Sequence, residues 1–285
     1  MIADFRTRPT EEKIYPGKEG KGTFDEVMIS MVPEKEWFLA SMTWPEAKEA
    51  LTKADYVIIP VGSMEQHGFH LCLGNDALST FEIVKRIVEE AHPRLRLIVL
   101  PPLYYGQSEH HMAFPGTISL RVSTFMELVY DICSSLKRHG VRRIVVINGH
   151  GGNTAPLTLV LQYRVKKELG IQVALINWWT YFADQGQPTH ADRFETSVSM
   201  HLLPEFVREE RIVKPTLKPC TVSMKELGWD AEISPLLLNM DERTDTGALL
   251  PDPTLASRDL GRRLVEAAVR RIVYVLEKLM DRKAG

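Results

Sequence analysis

The sequence predicts a three-layer α/β/α domain built on a mostly parallel central sheet. Three features carry this expectation: apolar runs of strand length, helix-length segments between them with apolar residues three and four apart, and glycine or proline at the stops. Strands buried on both faces read as continuous Val/Ile/Leu runs, and their alternation with amphipathic helices is the pattern of repeated βαβ units.

The first 40 residues are polar and broken by Pro9, Pro16, Gly17, Gly20 and Gly22, which predicts an N-terminal arm ahead of a single domain over residues 41–285. Thr43 is placed to cap a helix running through Glu46 to Ala54, followed by an apolar strand Tyr56 to Val61. A helix from Asp76 carries Phe81, Ile83, Val84, Ile87 and Val88 on one face, stops at Pro93, and feeds strand Leu95 to Leu100. The next helix, from Ser123 through Met126, Val129, Ile132 and Leu136, ends before Gly140 and leads to strand Arg142 to Ile147. A helix Ala155 to Leu169, closed by Gly170, precedes strand Gln172 to Ile176. Beyond it the chain is irregular to about Pro253, apart from a helix at Thr196 to Leu203. A closing helix then aligns Leu255, Leu260, Leu264, Ala268, Ile272, Val275 and Leu279 on one stripe.

Composition narrows the function. With 35 Lys+Arg against 37 Asp+Glu, the net charge of −2 supplies no field for nucleic acid or an anionic membrane. No apolar run approaches the roughly 20 residues of a membrane span, and the N-terminus has no apolar signal region. Cys72, Cys133 and Cys220 are widely spaced without a CxxC pair, as in a reduced, cytoplasmic protein.

In parallel sheets, ligands bind beyond the carboxyl ends of the strands. After the first strand come Glu65, His67 and Asp76 on a glycine-punctuated loop; Glu65 and His67, two apart, face one side, and Asp76 can turn back from the next helix. The third strand ends in Asn148-Gly149-His150-Gly151-Gly152-Asn153, and the fourth leads through Trp178 and Trp179 to His190 and Glu195. The second opens toward Ser108, His110 and His111, of which only one histidine can face the site. Taken singly, each is more often a solvated or capping residue, and Trp178 and Trp179 are equally well core or pocket wall. Their convergence on neighbouring strand ends favours a zinc or manganese site held by Glu65, His67, Asp76, His150 and Glu195. His70, His92, His139 and His201 read as structural.

The run Pro60 to Gly68, the spacing to Asp76, Ser108-Glu109-His110 leading to Phe114-Pro115-Gly116-Thr117, the segment Asn148 to Asn153 and His190 to Ser197 together resemble the creatininase (creatinine amidohydrolase) family. The resemblance implies two divalent ions per chain, zinc or manganese, bridged by Asp76. Glu65 and His150 complete one site and His67 the other. It also implies a hexameric homo-oligomer and a small-molecule substrate. The expected reaction is metal-assisted hydrolysis at a carbonyl, in which His190 would move the proton and Ser108, His110, Gly151, Gly152, Trp178 and Trp179 would bind substrate. Creatininase itself carries Tyr and Glu where this chain has Gly151 and Gly152, so Glu195 is the replacement carboxylate. This places the chain in a two-glycine branch whose members cleave formamides, a peptide or a diketo-inositol ring. The expected activity is hydrolysis of a small amide, formamide or cyclic amide. Alternatives are carbon–carbon ring opening of a diketo-inositol in inositol catabolism and a non-catalytic, metal-stabilised binding protein. The latter predicts closed coordination with no open position for water.

Overall fold

Four parallel strands form the central sheet: β1 (Tyr56–Val61), β2 (Leu97–Val99), β3 (Arg143–Asn148) and β4 (Gln172–Asn177), in the order β2-β1-β3-β4. The structure is a computed structural model that describes residues 37–182, 188–218, 222–223, 232–233 and 238–281, all of which belong to one compact unit. The expected N-terminal arm as far as residue 36, and Cys220, lie outside the described residues. The helices are α1 (Trp44–Lys53), α2 (Asn75–Ala91), α3 (Val122–Arg138), α4 (Thr154–Val160), α5 (Arg193–Leu202), α6 (Met240–Arg243) and α7 (Arg258–Asp281). Val222–Ser223 (β5) and Glu232–Ile233 (β6) make a small antiparallel pair.

The strands are legible because both faces are covered. Val57, Ile59 and Val61 of β1 pack with Phe125, Val129 and Cys133 of α3 and with Leu157 and Val160 of α4. On the other side the Tyr56 hydroxyl donates to the Leu276 carbonyl of α7 at 3.1 Å, and α2 and α5 pack against α7. The result is the three-layer arrangement that the sequence predicts. No helix among the described residues is long and apolar enough to cross a membrane.

Most element ends move by one or two residues, the strand expected at Leu95 to Leu100 shortens to Leu97–Val99, and three differences have a local cause or a larger extent. The expected helix Ala155 to Leu169 is α-helical only to Val160. It continues as a π-helix, Leu161–Leu169, ended by Gly170 at a φ of 64°; its buried residues, Leu161 and Val165, are four apart, a spacing an α-helix also gives, so the apolar pattern does not reveal the wider winding. The helix expected from Thr196 begins at Arg193, because the Asp192 side chain accepts the amides of Phe194 and Glu195 at 2.9 and 3.0 Å and caps it there. Leu255 is not on the closing stripe; it sits in a turn, Pro253–Leu255, and is 62% exposed.

Strand order and register place the site. β1 runs to β2 on one side while β3 lies on the other, so the chain leaves β1 at the point where the order reverses. Val61 pairs with Asn148 and Asn148 with Asn177, which brings the ends of β1, β3 and β4 level. Gly62 follows β1, and a Cβ there would meet the backbone of Asp76 and Ala77 within 3 Å. Gly62→Ala is therefore expected to destabilise the fold by about 1–3 kcal/mol as α2 is pushed outward. Urea unfolding checks this, and an unchanged midpoint contradicts the close packing.

Candidate metal centre

The loop after β1 turns Glu65 and His67 inward. The Glu65 amide donates to the Leu73 carbonyl at 3.0 Å, Met64 bridges Ile118, and both functional side chains are buried. Asp76 lies in the first turn of α2, where the helix dipole favours an anion. Gly74 occupies the cap position, so Asp76 is free to turn toward His67, and its Oδ1 lies 2.9 Å from His67 Nε2. His150 follows β3 and is held by Asn148, whose side chain donates to the His150 carbonyl at 2.8 Å and accepts its amide at 3.2 Å. Glu195, in the first turn of α5, has Oε1 3.3 Å from His67 Nε2 and takes the Ala191 amide on Oε2 at 2.5 Å. Ala191, with a φ of 45°, makes the left-handed turn between His190 and this helix.

The five residues expected as ligands are thus brought together. His150 Nδ1 is 3.1 Å from Glu65 Oε1 and 3.3 Å from Asp76 Oδ2. Neither oxygen receives a hydrogen bond among the described residues, although both are buried. Two donors on one ion at about 2.1 Å are separated by about 3.0–3.4 Å at octahedral or tetrahedral angles, so these spacings fit a shared cation. The rings are oriented accordingly. His67 Nδ1 donates to the Glu65 carbonyl at 3.0 Å, His150 Nε2 to the Gln107 carbonyl at 3.0 Å, and His190 Nε2 to the Gln66 carbonyl at 2.8 Å. Each outer N–H is spent on backbone, which leaves the inner nitrogen to face the carboxylates, as in metal-ligating histidines.

The electrostatics ask for positive charge at the same place. Burial lowers the His150 pKa, but the Glu65 and Asp76 carboxylates outweigh it and lift the ring to about 10. His67 is likewise raised well above its ordinary value, burial being overcome by Asp76 and Glu195. Burial and the neighbouring His67 and His111 rings lower His190 well below its ordinary value and keep it neutral. A bound cation would replace the protons that the two carboxylates hold on His67 and His150.

The residues expected to bind substrate divide. Trp178, Trp179, Gly151 and His190 line a cavity of about 150 Å³ with Asp76, His150, Glu195 and Phe182. Trp178 is also core, since it is buried and its indole N–H donates to Thr80 Oγ1 at 3.1 Å. Ser108 stands behind the carboxylate: fully buried, its hydroxyl donates to Glu65 Oε2 at 2.5 Å and contacts Ser63 Oγ, outside the cavity lining. His110 stacks on His150 with centroids 5.7 Å apart and is also outside that lining. Gly152 is too tightly enclosed for a side chain, because a Cβ would come within 3 Å of the Gln107 carbonyl and His150 Nε2. Glu195 supplies a carboxylate from another loop instead.

Two residues escape sequence reasoning. His111, not His110, points at Glu65, with Nε2 3.4 Å from Oε1, and burial lowers its pKa to about 3. Gln66 is buried behind the cluster and contacts both His111 and His190. The short turn Glu109–His111 decides which of the paired histidines faces inward, and no spacing in the sequence marks it. Of the histidines read as structural, His70 is buried against Thr196 Oγ1 at 2.8 Å.

Residues 40–276 match the creatininase (creatinine amidohydrolase) family. The chain belongs to the creatininase family. Creatinine amidohydrolase of Pseudomonas putida is 31% identical over 268 residues, covering 86% of this chain and 97% of the relative. A mycofactocin precursor peptide peptidase of Mycobacterium ulcerans is 31% identical over 231 residues, covering 78% and 80%. A 3-dehydro-scyllo-inosose hydrolase of Thermotoga maritima is 29% identical over 185 residues, covering 61% and 58%. A crystal structure of creatininase superposes with a TM-score of 0.74 at 28% identity, spanning 88% of this chain and all of that one, and manganese and zinc forms of creatininase are also similar. The chain is thus a metal-dependent hydrolase of this family.

A pH dependence follows for the metal-free protein. His150 has a folded pKa of about 10 against an ordinary 6.5, so its stabilisation is complete below about pH 6.5 and is lost as pH rises toward 10. Zinc held by the same nitrogen removes the proton and with it this decline. Urea midpoints of chelator-treated and zinc-loaded protein between pH 7 and 10 check this. Parallel curves contradict a shared proton and metal position.

Proposed function

We propose that this chain is a two-metal hydrolase of small, uncharged amides, formamides or cyclic amides, from the two-glycine branch of the family rather than creatininase proper. The observation that carries it is the set of inner histidine nitrogens converging on the orphaned oxygens of Glu65 and Asp76 at the wall of a small cavity. Glu65, Asp76 and His150 would hold one ion, and His67, Asp76 and Glu195 the other. Bound there, the ions supply Lewis acidity to a substrate carbonyl and acidify water.

The chain's own groups supply the rest. His190, neutral and with its bare Nδ1 toward the cluster, accepts a proton from water and returns it to the leaving group. Gly151 opens the turn Gly151–Asn153, so its amide has no partner within that turn and is available to an oxyanion at the cavity wall. Trp178, Trp179 and Phe182 form an aromatic wall that excludes water and suits a flat group. The lining residues include no Lys or Arg, while three carboxylate or imidazole-bearing loops meet there, which disfavours anionic substrates. The diketo-inositol alternative draws support from the Thermotoga maritima relative, because attack on a ketone makes the same demands on the site.

Elemental analysis with a turnover panel of formamides, cyclic amides, creatinine and keto-inositols tests this. About two metals per chain and chelator-sensitive turnover of an amide class are expected, with His190→Gln retaining metal while kcat falls about 10²–10⁴-fold. Full activity of His190→Gln overturns its proton role. Turnover of keto-inositols alone selects the carbon–carbon alternative, and a metal-loaded protein inert toward the whole panel contradicts the proposal.

A further inference from the structure

Four histidine rings surround the Glu65 carboxylate or its neighbours, and three share one arrangement, with the outer N–H given to a backbone carbonyl and the inner nitrogen turned toward the carboxylates. His111 breaks the pattern. Its Nδ1 lies 2.9 Å from the side-chain nitrogen of Gln66. The orientation of that amide is set by two backbone groups of unambiguous chemistry. The Gly68 N–H donates to Gln66 Oε1 at 2.9 Å, and the Gly247 carbonyl accepts from Gln66 Nε2 at 3.0 Å. The Gln66 nitrogen is therefore a donor toward His111, whose Nδ1 must carry the lone pair. In a neutral ring the proton then sits on Nε2, which is 3.4 Å from Glu65 Oε1.

His190 also approaches Gln66 Nε2, at 3.1 Å, but its own Nε2 proton goes to the Gln66 backbone carbonyl at 2.8 Å. The two amide protons are then used in full by Gly247 and His111. Room for this arrangement depends on Gly247, which has a φ of 73° and where a Cβ would come within 3 Å of the Gln66 carboxamide.

We propose that Gln66 is a positioning residue that gives His111 and His190 opposite tautomers, so that His190 presents a bare Nδ1 and His111 presents an Nε2–H to the Glu65 carboxylate. His111 stands close enough to Glu65 and His190 to complete a ligand trio, yet on this assignment its Nε2 carries a proton turned toward the Glu65 carboxylate at 3.4 Å and has no lone pair for a metal. One residue thereby separates the base of the site from its donor. The catalytic consequence rests on the metallohydrolase proposal; the tautomers themselves do not.

The test is ring-¹⁵N histidine NMR of the zinc-loaded protein, with His111 identified by the signal missing from His111→Phe. Wild-type His111 is expected with its proton on Nε2. Gln66→Glu places an acceptor opposite Nδ1, and the proton should move to Nδ1 while zinc affinity or kcat falls about 10–100-fold. A wild-type proton on Nδ1 overturns the proposal, as does a Gln66→Glu protein that keeps the Nε2–H form. Should Gln66→Glu fail to fold, the wild-type spectrum decides alone. Absence of turnover with the expected tautomers would count against the hydrolase proposal and leave this one standing.

Discussion

Two carboxylates, Glu65 and Asp76, are buried with one oxygen of each lacking any hydrogen-bond donor among the described residues. Removing a carboxylate from water costs several kcal/mol unless positive charge is supplied. The surrounding structure is organised to supply it: the dipole of α2 beneath Asp76, the His67 and His150 rings driven toward protonation, and inner nitrogens spaced for a shared cation. A cation bound here would displace the protons on His67 and His150, so occupancy and pH would act on stability through the same atoms.

The sheet makes this constraint affordable in geometric terms, because level ends of β1, β3 and β4 deliver three loops to one crevice. Asn153 ties the loops together. Its side chain donates to the Gly62 carbonyl at 2.9 Å and accepts the Gln107 amide at 2.9 Å, and the Gln107 carbonyl in turn orients His150. The backbone around the site is therefore as much a part of the ligand geometry as the side chains. Close packing at Gly62, Gly149 and Gly152 allows that approach, while Gly151 leaves space at the cavity wall.

The parallel sheet was legible because each strand is a continuous apolar run and each helix has a face that matches it. The clustering of Glu65, His67, Asp76, His150 and Glu195 is legible because strand-end loops of such a sheet meet at one edge. His111 was not, since its neighbour His110 carries the same chemistry and a single turn decides between them. Gln66 gives no signal because the Gly247 carbonyl that accepts from its side chain lies 181 residues away in sequence. The π-helix Leu161–Leu169 and the exposure of Leu255 were missed for a simpler reason: apolar spacing records which residues can share a face, not how the backbone is wound or where a turn interrupts it.

The orphaned carboxylate oxygens and the inward-facing imidazole nitrogens lie where one cation cluster would bind. Anomalous diffraction at the zinc edge from zinc-loaded crystals tests it most directly. Two peaks are predicted, one contacting Glu65, Asp76 and His150 Nδ1, the other Asp76, His67 Nε2 and Glu195. Zinc located elsewhere, with His67 and His150 still hydrogen-bonded to the carboxylates, would contradict the account.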